Sequence, residues 1–149
     1  FAVSVPKKIA EEQNKIALFE KRFESYSVFL KYISFANSIS HTSDWAQLQK
    51  AFLFNFIGDK IEFDSEKLIH IIKRDENMMM SGLFLFSDFC PGTTIESMIK
   101  KALDIVCMVQ YEQRSLSNDD INQIKLFCNE CKKFDEKYMK VMRRQILTN

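Results

Sequence analysis

The stretch NKIALFEKRFESY, residues 14–26, spaces its apolar side chains alternately three and four residues apart. Such spacing places them on one face of an α-helix. The pattern extends in both directions and predicts a helix over residues 6–38, which Pro6 can begin. Phe29 and Ala36 widen the apolar face so that it suits packing in a bundle. Apart from Glu12, which interrupts it, this face is a heptad seam made of Ile9, Ile16, Phe19, Phe23, Tyr26, Leu30 and Ile33.

Charged residues fill the rest of the opening stretch, and Glu20, Lys21 and Arg22 are predicted to lie on the solvated side of the helix. A helix over residues 6–38 would measure about 50 Å at 1.5 Å per residue. That length exceeds what a globular domain of 149 residues needs. We therefore expect the N-terminal part of the helix to project from the domain or to pair with another chain.

Composition predicts one helical domain spanning residues 1–149. Hydrophobic residues make up 46% of the chain and charged residues 28%, which is typical of a globular protein. The chain has only three glycines and two prolines, which disfavours a fold built of many hairpins. Its net charge of +1 provides no general attraction to nucleic acid. The four cysteines show no disulfide framework and are expected to be reduced thiols.

Helical patterns continue along the rest of the chain. Ser43 or Asp44 can cap a helix that begins at Trp45 and ends near Ile57. Residues 52–63 also fit a β-hairpin, because their phenylalanines alternate and Gly58 suits a tight turn. Further helices are predicted over residues 65–74, 78–92 (with a strand at 83–89 as the alternative), 93–115 and 118–147.

The predicted fold class is therefore all-α. It is a helical bundle in which long N- and C-terminal helices pack together, with shorter helices between them. The alternative is an α fold with a small β-hairpin at residues 52–63.

Two groups of residues carry motif-like chemistry, and neither predicts a catalytic, metal or cofactor site. Cys128 and Cys131 share a helix face but coincide with its apolar stripe, so we expect them to pack in the core. The carboxylates and lysine within residues 59–67 resemble sets that bind Mg²⁺ in nucleases. Bringing them together would require the hairpin, so a small Mg²⁺-dependent hydrolase or nuclease is the alternative function. That set is Asp59, Glu62, Asp64, Glu66 and Lys67.

Surface residues are better candidates for a functional site than these two groups are. The seam of the first helix could bind another helix, and the cations of the last helix could contact an anionic surface. Cations at a helix C-terminus also interact favourably with the helix dipole, which is the simpler explanation of the second group. The candidate interaction residues are Phe19, Phe23, Tyr26, Leu30, Lys137, Lys140, Arg143 and Arg144.

The stretch KIALFEKRFESYSVFLKYI, residues 15–33, resembles IALFEKRYEIY, a segment of uncharacterised bacterial membrane-anchored proteins. In that group an N-terminal transmembrane helix continues into a cytosolic helical domain. A later FLF followed by an acidic, isoleucine-containing segment is also common, and residues 52–62 are similar. The resemblance covers residues 15–74 and implies a membrane anchor before this domain. No activity or cofactor follows from it.

The start of the chain agrees with such an anchor. Residues 1–5 carry no charged side chain, so residues 1–6 are expected to be the end of a transmembrane helix. Lys7, Lys8 and Lys15 would then form its positive cytoplasmic flank. The predicted location is the cytoplasmic face of the inner membrane. The predicted function is non-enzymatic: a helical module that associates with itself or with another protein, a role that would fit defence or stress response.

Overall fold

The fold is seen in a computed structural model that describes residues 4–58, 62–111 and 115–148. No strand occurs in these ranges, which confirms the all-α class. π-Helical turns at Leu53–Ile57 and Asp135–Met139 extend the second helix and join the last two. The α-helices are α1 (Ser4–Ile39), α2 (Trp45–Phe52), α3 (Ser65–Leu85), α4 (Gly92–Val109), α5 (Asn118–Phe134) and α6 (Lys140–Leu147).

The long helices form a bundle in which neighbours in the chain run antiparallel. Arg22, in the first half of α1, donates from Nε to the Leu85 carbonyl oxygen at the end of α3, at 2.7 Å. Cys128 in α5 donates from Sγ to the Ala36 carbonyl oxygen near the end of α1, at 3.3 Å. Arg22 also donates from Nη1 to the Gln145 carbonyl oxygen in α6, at 3.1 Å. These two contacts place the α5–α6 helix antiparallel to α1, and the predicted packing of the first and last helices is confirmed.

Aromatic side chains make much of the core between these helices. The rings of Phe29 and Phe134 stack with centroids 5.0 Å apart, and those of Phe35 and Phe52 lie 4.4 Å apart. All four side chains are buried. Trp45 at the start of α2 donates from Nε1 to the Ser115 carbonyl oxygen at 3.0 Å, so α2 closes one end of the bundle.

Polar residues begin the helices where the sequence predicts it. Asp44 accepts a hydrogen bond from the Gln47 backbone N–H at 2.8 Å. Ser117 and Asp120 form a reciprocal capping box at the start of α5. The prediction for α4 is less accurate, because the helix begins at Gly92 after Pro91 and ends at Val109, before the expected Ser115. Residues 112–114 lie outside the described part of the chain.

The middle of the chain differs most from the prediction. One helix, α3, replaces the two expected over residues 65–74 and 78–92, and it ends at Leu85. The gap between the two expected helices contains Asp75, which is buried against α1 and pairs there. A polar residue that faces the core with its partners supplied does not interrupt a helix. Residues 83–85 belong to α3 and residues 86–89 form no strand, so the strand alternative at 83–89 is wrong.

The hairpin alternative at 52–63 is wrong where the structure describes it. Phe52 ends α2, and Leu53–Ile57 continue as a π-helical turn. Gly58 ends that turn in the left-handed conformation, with φ of 74°, which a glycine adopts without strain. Residues 59–61 lie outside the described ranges.

Candidate interaction surface

Helix α1 carries two apolar faces. One packs in the bundle and contains Phe29, Tyr32 and Ala36, all buried. The other is the heptad seam, whose members remain largely outside the core. At 3.6 residues per turn the centres of the two faces are about 150° apart around the helix axis. The prediction that Phe29 and Ala36 widen the seam into a bundle-facing surface therefore holds only at the C-terminal end of α1, where Ile33 of the seam is buried in the same core.

The seam is exposed along most of its length. Ile9 is 54% exposed, Ile16 57%, Phe23 54% and Leu30 44%, although each is a large apolar side chain. Ile33 at the C-terminal end is buried in the bundle, and Tyr26 is half-buried. An exposed apolar stripe of this length on the surface of a folded domain is typical of an interaction surface. We use the name "exposed seam" for Val5, Ile9, Ile16, Phe19, Phe23 and Leu30.

Two of these side chains already contact each other. The rings of Phe19 and Phe23 lie nearly parallel, at 16°, with centroids 6.2 Å apart. One turn of α1 thus presents a joined aromatic surface rather than isolated apolar residues. Burial of large aromatic side chains contributes strongly to helix association, because each removes much apolar area from water.

The bundle holds α1 firmly from Arg22 onward. Arg22 bonds to the carbonyl oxygens of Leu85 and of Gln145, the latter from Nη1 at 3.1 Å. Its guanidinium also lies 5.7 Å from the ring centroid of Phe86. Residues 5–17, by contrast, are all exposed. This wholly exposed segment is about 20 Å long, at 1.5 Å per residue.

A buried polar cluster fixes the middle of α1 to α3. The Tyr32 hydroxyl donates to Asp75 Oδ2 at 2.9 Å, and Lys31 forms an ion pair with the same oxygen. Burial, and secondly the Asp75 charge, raises the pKa of Tyr32 well above its ordinary value. The Lys31 ammonium also lies 5.0 Å from the ring centroid of Phe56. These contacts fix the rotation of α1 about its axis, so they also fix which face remains outside.

Sequence reasoning did not find this cluster. Asp75 lies within the run Lys73–Asn77, which reads as an ordinary polar stretch. One signal was available, because Asp75 follows Ile72 by three residues and precedes Met79 by four, and both of these are buried. This spacing places Asp75 on the buried face of the helix.

The cations of the last helix lie near the exposed seam. Arg143 donates from Nη1 to the Tyr26 hydroxyl at 3.4 Å. Lys140 and Arg144 are exposed on the same helix. Lys137 is exposed as well, with its ammonium 5.2 Å from the ring centroid of Tyr138. The structure thus brings Tyr26 and Arg143 together, and Phe19, Phe23 and Leu30 remain exposed.

The cysteine pair lies in the core, as predicted. Cys131 is buried and Cys128 is half-buried. Burial raises the pKa of the Cys128 thiol to about 11 and that of Cys131 further. A protonated thiol is a poor nucleophile, and a buried one behaves as a small apolar side chain. Both residues therefore serve packing.

Of the acidic residues near α3, Asp64 has a structural role. Asp64 caps the helix by accepting from the Lys67 backbone N–H at 3.2 Å, and Glu66 lies exposed in the first turn. Glu62 is also exposed, while Asp59 lies outside the described residues. Within the described ranges no three or more His, Cys, Asp or Glu side chains are grouped closely enough to hold a metal ion.

A groove of about 610 Å³ lies between α1 and α3, on another side of α1 from the exposed seam. Ser25, Met78, Met80 and Phe84 are among its lining residues. The buried Ser25 hydroxyl has no hydrogen-bond partner among the described residues. Gly82 lies against it, because a Cβ at that position would come within 2.9 Å of Ser25 Oγ.

Comparison with known proteins finds no similar family model, curated protein or solved structure. Of the helices in the described part of the chain, none combines the length and the apolar character needed to cross a membrane. The evidence for the exposed seam as an interaction surface is therefore the geometry of α1.

Proposed function

We propose that the protein is a non-enzymatic helical module that acts by association of α1 with another helix through the exposed seam. The observation that carries this proposal is the position of the exposed seam, whose residues from Val5 to Leu30 lie outside the buried core of the bundle. Burial of a fully exposed large apolar side chain stabilises by about 1.5–3 kcal/mol. Six exposed side chains on one stripe are a large driving force for association.

The fold supports this function because it holds Phe23 and Leu30 on the anchored part of α1, while the rest of the exposed seam lies before Arg22. Helix α1 is anchored through Arg22 and through the Lys31–Tyr32–Asp75 cluster. An anchored helix loses little conformational entropy when a second helix binds it, which favours affinity.

The proposed site of action is the cytoplasmic face of a bacterial membrane. The resemblance of residues 15–33 supports this location, and so does the arrangement of cations. Arg143 and Arg144 lie at the end of the bundle from which α1 projects, because the neighbouring Gln145 carbonyl oxygen bonds to Arg22. Lys8 and Lys15 are exposed further along the projecting segment. Such clusters attract anionic lipid at about 1 kcal/mol per cation near the surface.

The association is tested by cross-linked capture in cells with an affinity-tagged chain. Phe23→Glu places a charge in the middle of the exposed seam and should abolish capture of every bound chain, whether a second copy or another protein. Phe84→Glu is the matched control, because Phe84 is 91% exposed but lies on α3, away from the seam. Helical circular dichroism verifies that both variants fold. Capture unchanged by Phe23→Glu would overturn the proposal.

A further inference from the structure

The heptad repeat of α1 assigns each residue of the exposed seam a position in a coiled coil. Ile9, Ile16, Phe23 and Leu30 follow one another at intervals of seven residues and take the a positions. Glu12, Phe19 and Tyr26 each follow an a residue by three and take d positions, with Val5 at the d position of the preceding heptad. Sustained a/d patterning over three to four heptads is what a two-stranded coiled coil requires.

From this register we infer that the partner of the exposed seam is a second copy of this chain, with the two α1 helices parallel and aligned residue for residue. This inference rests on the proposed function, since it names the partner of the same surface. In a parallel pair each a residue faces its own copy, and so does each d residue. The seam is then complementary to itself about a two-fold axis, as in an isologous dimer.

Charges beside the seam favour this orientation. The g positions hold Lys8, Lys15 and Arg22, and the e positions between them hold Gln13 and Glu20. In a parallel pair a g residue contacts the e residue of the partner's following heptad, so Lys15 meets Glu20 of the second copy. The two-fold axis makes this pair twice. In an antiparallel pair the g positions face each other, which would bring the cations together.

Lys15 is free to make this contact. Its ammonium lies 3.6 Å from Glu12 of the same helix, but the two side chains are 65% and 70% exposed. An exposed pair of this kind contributes little stability, so a competing partner on the second helix displaces it at low cost.

The bundle leaves room for the second helix. The core-facing side of α1 lies about 150° from the seam, so two bundles would sit on the outer sides of the paired helices. On the g side the nearest part of the bundle is α6, where Arg143 contacts the half-buried Tyr26. Phe23 and Leu30 beside it remain about half exposed and accessible.

Glu12 is the one charged residue among these a and d positions, and the parallel pairing places it opposite its own copy. Two carboxylates at one layer weaken association, and such a polar residue in a coiled coil costs stability while fixing the register. Glu12→Leu should therefore tighten the dimer at least tenfold. The equivalent change at the exposed, non-seam position Glu11→Leu is the control and should leave it unchanged.

Sedimentation equilibrium of the purified full chain tests the inference. The wild-type chain should form dimers, and Phe23→Glu should weaken them at least a hundredfold. Lys15→Glu and Glu20→Lys should each weaken them about tenfold, and the double variant should restore the wild-type constant, because opposite charges again face each other.

The outcomes separate the inference from the proposed function. Strengthening by Lys15→Glu would show an antiparallel pair and overturn the inference while leaving seam association intact. The chain could also remain monomeric in sedimentation and yet capture another protein in cells in a Phe23-dependent way. That outcome would overturn the parallel dimer but not the proposed function. Dimers that Phe23→Glu does not weaken would count against both.

Discussion

Asp75 shows how one carboxylate determines which face of a neighbouring helix stays in solvent. Its Oδ2 accepts from the Tyr32 hydroxyl and pairs with Lys31, and the side chain is almost wholly buried. Because both partners belong to α1, the contact fixes the rotation of that helix. A rotation that buried the exposed seam would pull Tyr32 and Lys31 away from Asp75.

Asp75→Asn should lower the free energy of unfolding by about 3 kcal/mol, measured by chemical denaturation. The substitution keeps the size of the side chain but removes the negative charge, and an unpaired partner of a buried ion pair costs roughly this much. Asp104→Asn makes the same change at an exposed position of α4 and should alter stability by less than about 0.5 kcal/mol. Equal effects of the two substitutions would contradict the role given to Asp75.

Substitution of Ser25 should change the free energy of unfolding in the opposite direction. Its buried hydroxyl has no partner among the described residues, and an unsatisfied buried polar group costs about 1–3 kcal/mol. Ser25→Ala should raise the free energy of unfolding by about 1 kcal/mol in the same denaturation experiment. Ser27→Ala serves as the comparison on the same helix, since that exposed hydroxyl already donates to the Phe23 carbonyl oxygen at 2.9 Å. A loss of stability on Ser25→Ala would refute the explanation.

At the scale of the element, the last helix contains a π-helical turn because its buried residues are unevenly spaced. Phe127, Cys131 and Phe134 are four and three residues apart, and Met142 follows Met139 by three. Between Phe134 and Met139 the spacing is five. A π turn absorbs one additional residue, so α5 and α6 keep their apolar stripes on the same side.

Deletion of Glu136, an exposed residue of this turn, should therefore leave a folded protein with a regular α-helix. The deletion restores a spacing of four residues between the flanking core side chains, and the thermal midpoint should stay within about 5 °C. Deletion of Asn129, equally exposed but within regular α5, would rotate every later residue by about 100° and move the α6 stripe out of the core. Similar melting curves for the two deletions would show that the π turn has another cause.

The burial of a helix was predictable from the sequence where the helix has a single apolar stripe, because that stripe can only face the core. In α4 the residues at helical spacing are buried as expected, from Ile95 to Val109, because the helix has a single apolar face. In α1 the bundle buries Phe29 and Ala36, as expected, but most of the seam that they were expected to widen stays exposed on another face. Periodicity identifies an apolar face, and only tertiary packing decides which of two faces meets the core.

The whole molecule combines a self-sufficient bundle with a helix longer than the bundle requires. The buried core begins, along α1, at Ser25 and Phe29, and residues 5–17 are exposed throughout. The long first helix and its projection were predictable, because helix length follows directly from the pattern. The aromatic contacts that close the core between distant helices, such as Phe29 with Phe134, were not, because no local pattern specifies them.

A chain that begins at Ala17 should therefore keep the bundle and lose the association. At low protein concentration its free energy of unfolding should lie within about 1 kcal/mol of that of the full chain, since deletions outside the core remove few stabilising contacts.

A chain that ends at Met139 is the control. It lacks fewer residues, but it loses Met142 and Ile146, both buried, and the Gln145 carbonyl oxygen that holds Arg22. That chain should lose cooperative unfolding, because the α1–α6 contact disappears with it. Denaturation followed by circular dichroism compares the stabilities, and sedimentation measures association. If the chain starting at Ala17 were as unstable as the one ending at Met139, the projecting segment would be part of the folding unit and not a surface presented by it.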